Sequence, residues 1–148
     1  MLFAVANILL AFSLLICLFA ALKGGVAERI GAAVILANLV AATANYALLK
    51  SQLIDLGIDG LTAVVMLSMT MRYASVWLGA VMLVYALQFG LDAFYLVMER
   101  SVSDMPHAII NNSNTIAIMI ALGAGTMTAW RRRRHVEAAP PAFAEAAP

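Results

Sequence analysis

The residues of this chain that could do chemistry are few, and their spacing groups them. Tyr85, Gln88, Asp92, Tyr95 and Glu99 recur at intervals of three and four, which places them on one face of a helix. Gln88 and Asp92 are one turn apart and within hydrogen-bonding reach of each other. Asp59 stands in a largely apolar stretch, and His107 and Asn111 are again one turn apart. Carboxyls beside an imidazole and amides can hold a small polar solute or relay a proton. Asp59, Gln88, Asp92, His107 and Asn111 therefore form a candidate polar pocket. The commoner role of such groups is to tie helices together, at roughly 0.6–2 kcal/mol per hydrogen bond. On that reading Asp92 pairs with Lys50 or Arg100.

Other chemistry is missing from the pattern. No Ser/His/Asp set, no zinc-ligand spacing and no pair of deep histidines is present, so the expectation is no catalytic residue, no metal and no cofactor. The single cysteine, Cys17, lies in an apolar run and reads as a packing residue. The nine methionines suit flexible helix packing better than a copper path.

The elements that carry these residues follow from composition. Of 148 residues, 64% are hydrophobic and 11% charged. A soluble domain is near half apolar and a quarter charged. This balance excludes an ordinary soluble enzyme, a nucleic-acid binder and a disordered protein. It predicts an all-α polytopic membrane protein. Spans of about 20 apolar residues are expected at 2–22, 30–49, 53–71, 74–97 and 106–130. The first lacks a basic leader and reads as a retained helix. Ser103-Asp104-Met105-Pro106 is a start signal for the fifth. Residues 1–130 then form the bundle, and 131–148 a basic anchor followed by a disordered Ala/Pro-rich tail.

Charge orients the bundle. With the carboxyl terminus in the cytoplasm, Lys23, Arg29, Arg72 and Arg131, Arg132, Arg133 and Arg134 fall inside; only Lys50 and Arg100 fall outside. The positive-inside rule thus favours five spans, N-out and C-in. Tyr73, Trp77 and Trp130 are placed in an inner aromatic belt, Tyr46 and Tyr95 in an outer one. In this frame the polar residues collect in the outer half, and the expectation is a hydrated pocket open to that side.

Lipid gives helices no hydrophobic drive to associate, so small residues that permit close approach matter. Ser113, Ala117, Ala121, Gly125 and Ala129 form a four-residue repeat along the fifth helix, and Ala33, Ala37 and Ala41 one along the second. They predict tight packing, within the chain or against a partner. Arg131 to Arg134 anchor on anionic lipid headgroups, at about 1 kcal/mol each.

One pattern goes further. Asp59, then Arg72-Tyr73, then Trp77, with Gly24-Gly25 and Arg29 in the first loop, resembles uncharacterised small integral membrane proteins of alphaproteobacteria, of the sphingomonad type. Ala74-Ser75 and Met82 depart from that pattern, where Trp-Pro and Gln are expected. The resemblance implies a bacterial inner-membrane location and carries no activity. The functional expectation is an accessory subunit or assembly factor that binds the bilayer and another membrane protein or itself, with no nucleic acid. The alternatives are a small transporter or channel built around Asp92, and a holin-like protein.

Overall fold

The computed structural model describes residues 2–100 and 104–137. They form five helices: α1 (Leu2–Lys23), α2 (Val26–Leu48), α3 (Gln52–Tyr73), α4 (Val76–Val97) and α5 (Met105–Glu137). There is no strand among the described residues. Four of the helices, α2 to α5, are long and apolar enough to cross a membrane. α1 is helical over 22 residues, and its apolar part Asn7–Lys23 is shorter than the other four.

Two- and three-residue connections join the first four helices, which forces antiparallel neighbours. Each helix packs on the next, and α1 also packs on α5. The result is an up-and-down ring of five. One end carries the α2–α3 and α4–α5 connections. The opposite end carries the α1–α2 and α3–α4 connections and the carboxyl-terminal part of α5. Lys50, Ala74 and Glu99, at the ends of α2, α3 and α4, take the left-handed conformation with φ 51°, 46° and 51°, reversing the chain in few residues.

Large apolar side chains face outward. Leu15, Leu22, Leu83, Leu87 and Ile120 are each more than 60% exposed, the pattern expected where lipid and not water surrounds the bundle. The interior is narrow. Cys17, Ala20, Ala32, Ile35, Met66, Leu78, Val81, Met119 and Leu122 fill its apolar middle.

α4 contributes one continuous buried face to that interior. Trp77, Leu78, Val81, Tyr85, Gln88, Asp92 and Tyr95 are all buried, at the spacing of a single helix face. Trp77 is therefore a core residue and not a belt residue. Its ring wedges between two glycines. A Cβ on Gly31 of α2 would lie 2.6 Å from Trp77 Cη2, and one on Gly125 of α5 would lie 2.5 Å from Cδ1 and Cγ. The indole Nε1 donates to Glu28 Oε1 at 3.1 Å, and the Gly25 amide donates to Glu28 Oε2 at 2.9 Å. Tyr95 is likewise buried, against His107 rather than in an outer belt.

Two helix boundaries differ from the expected ones. α2 begins at Val26, not residue 30. Glu28 and Arg29 are helical because Glu28 at the third helical position reaches back to the Gly25 amide, half of a capping box. α5 continues to Glu137 instead of stopping at 130, because arginine is a good helix former and nothing breaks the run. His135 to Glu137 are thus helical, while 138–148, the remainder of the expected tail, lie outside the described residues, as does Ser103. The small-residue repeat on α5 does not stay on one face. Ser113 and Ala117 are exposed, Ala121 half-buried and Gly125 buried, since a four-residue step advances about 40° per repeat.

Gly31→Ala and Gly125→Ala are each expected to destabilise the bundle by about 1–3 kcal/mol through overpacking against Trp77. Gly57→Ala and Gly90→Ala, where nothing lies within 4 Å of an added Cβ, are expected to be neutral or to gain up to about 1 kcal/mol of helix propensity. Unfolding of the purified protein in mixed detergent micelles, followed by loss of tertiary aromatic signal, measures the four variants.

Candidate functional site: a buried acid and histidine cluster

Asp92 is the hub of the polar interior. The spacing of Gln88, Asp92 and Tyr95 on α4 turns all three inward. α5 opens at Met105 and carries His107 in its first turn, where it is 8% exposed. His107 Nε2 lies 3.0 Å from Asp92 Oδ1. Gln88 Nε2 donates to the same oxygen at 3.2 Å, and Asn114 Nδ2 donates to Gln88 Oε1 at 2.6 Å. The edge of the imidazole meets the Tyr95 ring, with centroids 4.8 Å apart and planes at 64°. Ring packing and the Asp92 bond together fix the orientation of His107.

Asp59 enters from α3. Its Oδ1 accepts from Asn38 Nδ2 of α2 at 2.9 Å, and its carboxyl neighbours that of Asp92. Asn38 Nδ2 is also 3.0 Å from Thr62 Oγ1, and the Tyr85 hydroxyl is 3.5 Å from Asn38 Oδ1. Nearer the chain end, Asn45 Nδ2 donates to Asp55 Oδ1 at 2.6 Å and to the Ser51 carbonyl at 2.9 Å. A connected set of polar groups thus joins α2, α3, α4 and α5.

Its depth follows from the helical rise of 1.5 Å per residue. His107 lies about 3 Å from the start of α5, Asp92 about 7 Å from the end of α4, and Asn38 about 15 Å from the end of α2. The set therefore reaches from one end of the ring to its middle. Beyond it lies the apolar layer of Met66, Leu78, Val81, Met119 and Leu122. At the far end the one buried carboxylate is Glu28, which is held by the Trp77 indole and the Gly25 amide.

Four of the five expected pocket residues, Asp59, Gln88, Asp92 and His107, come together in this cluster. Asn111 does not; it is exposed on α5. Asn114 takes its place, because seven residues are almost two full turns and set Asn114 nearly in line with His107. The partner of Asp92 is His107, not Lys50 or Arg100. The cluster is also closed rather than wet: Gln88, Asp92, His107 and Asn114 are 7%, 8%, 8% and 9% exposed and fill the space with one another. Thr62 is hidden from sequence reasoning because it lies in an apolar stretch, and Asn38, polar near the middle of the second helix, gives no sign there of its partners Asp59 and Thr62. Among the described residues no group of three His, Cys, Asp or Glu side chains is arranged to hold a metal ion.

Comparison with protein-family models, with curated proteins and with solved structures returns no match to this chain.

Gln88→Leu removes the acceptor that the Asn114 amide has among the described residues and leaves a buried donor unpaired. A loss of about 1–3 kcal/mol is expected. Asn111→Leu, at an exposed position, is expected to change stability by less than about 0.5 kcal/mol. Thermal unfolding in one detergent, with the two variants run beside the parent, reads the difference.

Proposed function

We propose that this chain is an integral membrane protein whose Asp59–Asp92–His107 cluster takes up and releases a proton from one side of the membrane. The observation that carries the reading is a carboxyl bonded to an imidazole, with a second carboxyl neighbouring it, inside an apolar bundle. Hydrogen bonds between helices can be made by Asn and Gln alone, as Asn114 and Gln88 do here. Two neighbouring carboxyls add nothing to that role unless one of them can carry a proton. Ionisable groups at membrane depth are costly to place and mark proton or solute paths.

The apolar layer beyond the cluster favours a site fed from one end over an open channel. Such a site suits a proton-coupled or proton-sensing step, and it needs no catalytic residue or cofactor. The topology proposed is five spans, with the amino terminus outside and the carboxyl terminus inside. It draws on the charge bias of the sequence and on the 22-residue length of α1 packed between α2 and α5. The cluster then faces the outer side. The bacterial inner membrane is proposed from the resemblance in Asp59, Arg72-Tyr73 and Trp77.

A second reading, an accessory subunit that receives a helix of another membrane protein, draws on a different feature. A groove of about 270 Å³ runs between α2 and α3, lined by Val34, Ala37, Asn38, Ala41, Ile58, Leu61, Thr62 and Val65. Small residues there let another backbone approach closely.

Infrared difference spectra of the protein in nanodiscs, acid minus alkaline, test the proton reading. A protonated-carboxyl band is expected in the parent and in Glu99→Gln, and is expected to be lost in Asp59→Asn and in Asp92→Asn. A parent spectrum without such a band would sink it. For topology, a carboxyl-terminal GFP fusion is expected to fluoresce and an alkaline phosphatase fusion to be inactive.

A further inference from the structure

The far end of the ring from the acid cluster has a built cationic recess. α1 ends at Lys23, and α5 runs past it from Trp130 to Arg134. Arg133 Nη2 donates to the Lys23 main-chain carbonyl at 2.6 Å. That bond caps the negative end of α1 and fixes the two helices at one level. Arg134 lies over the Trp130 ring, its guanidinium carbon 4.4 Å from the centroid, so its position is set by stacking. Leu22, Lys23, Trp130, Arg133 and Arg134 enclose a cavity of about 140 Å³. That is below the range of about 300–1,000 Å³ typical of sites for drug-sized ligands, and it is on the scale of a single oxyanion.

The recess is short of negative charge. Arg133 spends one N–H on a carbonyl, whereas among the described residues neither the Lys23 ammonium nor Arg134 is paired with a carboxylate. Arg72 ends α3 at the same end of the ring. The recess also has an apolar approach. Leu15, Leu18 and Leu22 are 65%, 55% and 65% exposed along α1 and lead up to it from the middle of the bundle. A cationic head at the end of an exposed leucine track matches a phosphate joined to acyl chains.

We propose that Lys23, Arg133 and Arg134, with Trp130, bind the phosphate of one anionic phospholipid headgroup, whose acyl chains lie along the leucine track of α1. The four arginines are then not equivalent. Arg133 and Arg134 line the recess; Arg131 and Arg132 do not and act only as diffuse charge. The site rests on the membrane-spanning reading and is independent of the acid cluster at the other end.

Native mass spectrometry of the full chain, released from mild detergent with added phosphatidylglycerol or phosphatidylcholine, tests this. One phosphatidylglycerol per chain is expected to be retained in preference to phosphatidylcholine. Lys23→Gln and Arg134→Gln are each expected to lower that retention about tenfold. Lys23→Arg is expected to keep it, and Arg131→Gln and Arg132→Gln to change it less than twofold. Inorganic phosphate in millimolar excess is expected to leave the lipid in place. Equal losses in all four Gln variants would show a diffuse basic anchor and overturn the site. Displacement by inorganic phosphate would overturn the lipid as its ligand in favour of a free oxyanion. Failure of either kind leaves the carboxyl infrared band untouched, so the two readings fail separately.

Discussion

The indole of Trp77 sits where α2, α4 and α5 meet, and the ring closes around it. Helices in lipid gain nothing by hiding apolar surface from water, so their association depends on close van der Waals packing and on bonds between polar groups. Trp77 provides both at one place. Its flat ring needs neighbours without side chains, and Gly31 and Gly125 supply that clearance. Its N–H needs an acceptor, and Glu28 supplies it. Glu28 in turn needs a second donor, and the Gly25 amide at the head of α2 supplies that. A buried acid is thus present because a buried indole is, and the first turn of α2 is fixed by both.

The same residue type does different work at the two ends of the ring. Glu28 is a carboxylate with an N–H donor on each oxygen. Asp92 accepts from an amide and an imidazole on one oxygen while facing the Asp59 carboxyl. Between the two lie mostly aliphatic side chains and methionines, with Cys17 and Tyr85 among them. The bundle therefore holds two buried polar centres towards its opposite ends, separated by a largely apolar layer.

Much of this was legible in the sequence. The intervals between Tyr85, Gln88, Asp92 and Tyr95 announce a polar helix face, and five helices follow from five apolar runs. Sequence reasoning failed where a residue's role depends on its partner. Glu28 beside Gly24, Gly25 and Arg29 looks like a loop, because only its reach to Trp77, 49 positions away, makes it interior. Asn111 was preferred to Asn114 because one turn is the obvious spacing, although two turns return closer to the same line. Trp77 was assigned to a belt from its place near a helix start; its burial is decided by glycines on two other helices. The arginines looked like the end of α5 because they are charged, yet charge does not stop a helix once it has left the bilayer.

The closure of α1 against α5 has a consequence for biogenesis. Ile16 of α1 packs toward Gly123 of α5, and the carbonyl of Lys23 is held by Arg133, 110 positions later. α1 leaves the ribosome before α5 and therefore has one flank without its native neighbour until α5 has joined it. Through most of synthesis the buried Ser13 and Cys17 of α1 must be shielded by lipid, by the insertion machinery or by a neighbouring chain. Order of synthesis and order of assembly are thus opposed in this ring: its oldest helix is among the last to be sealed.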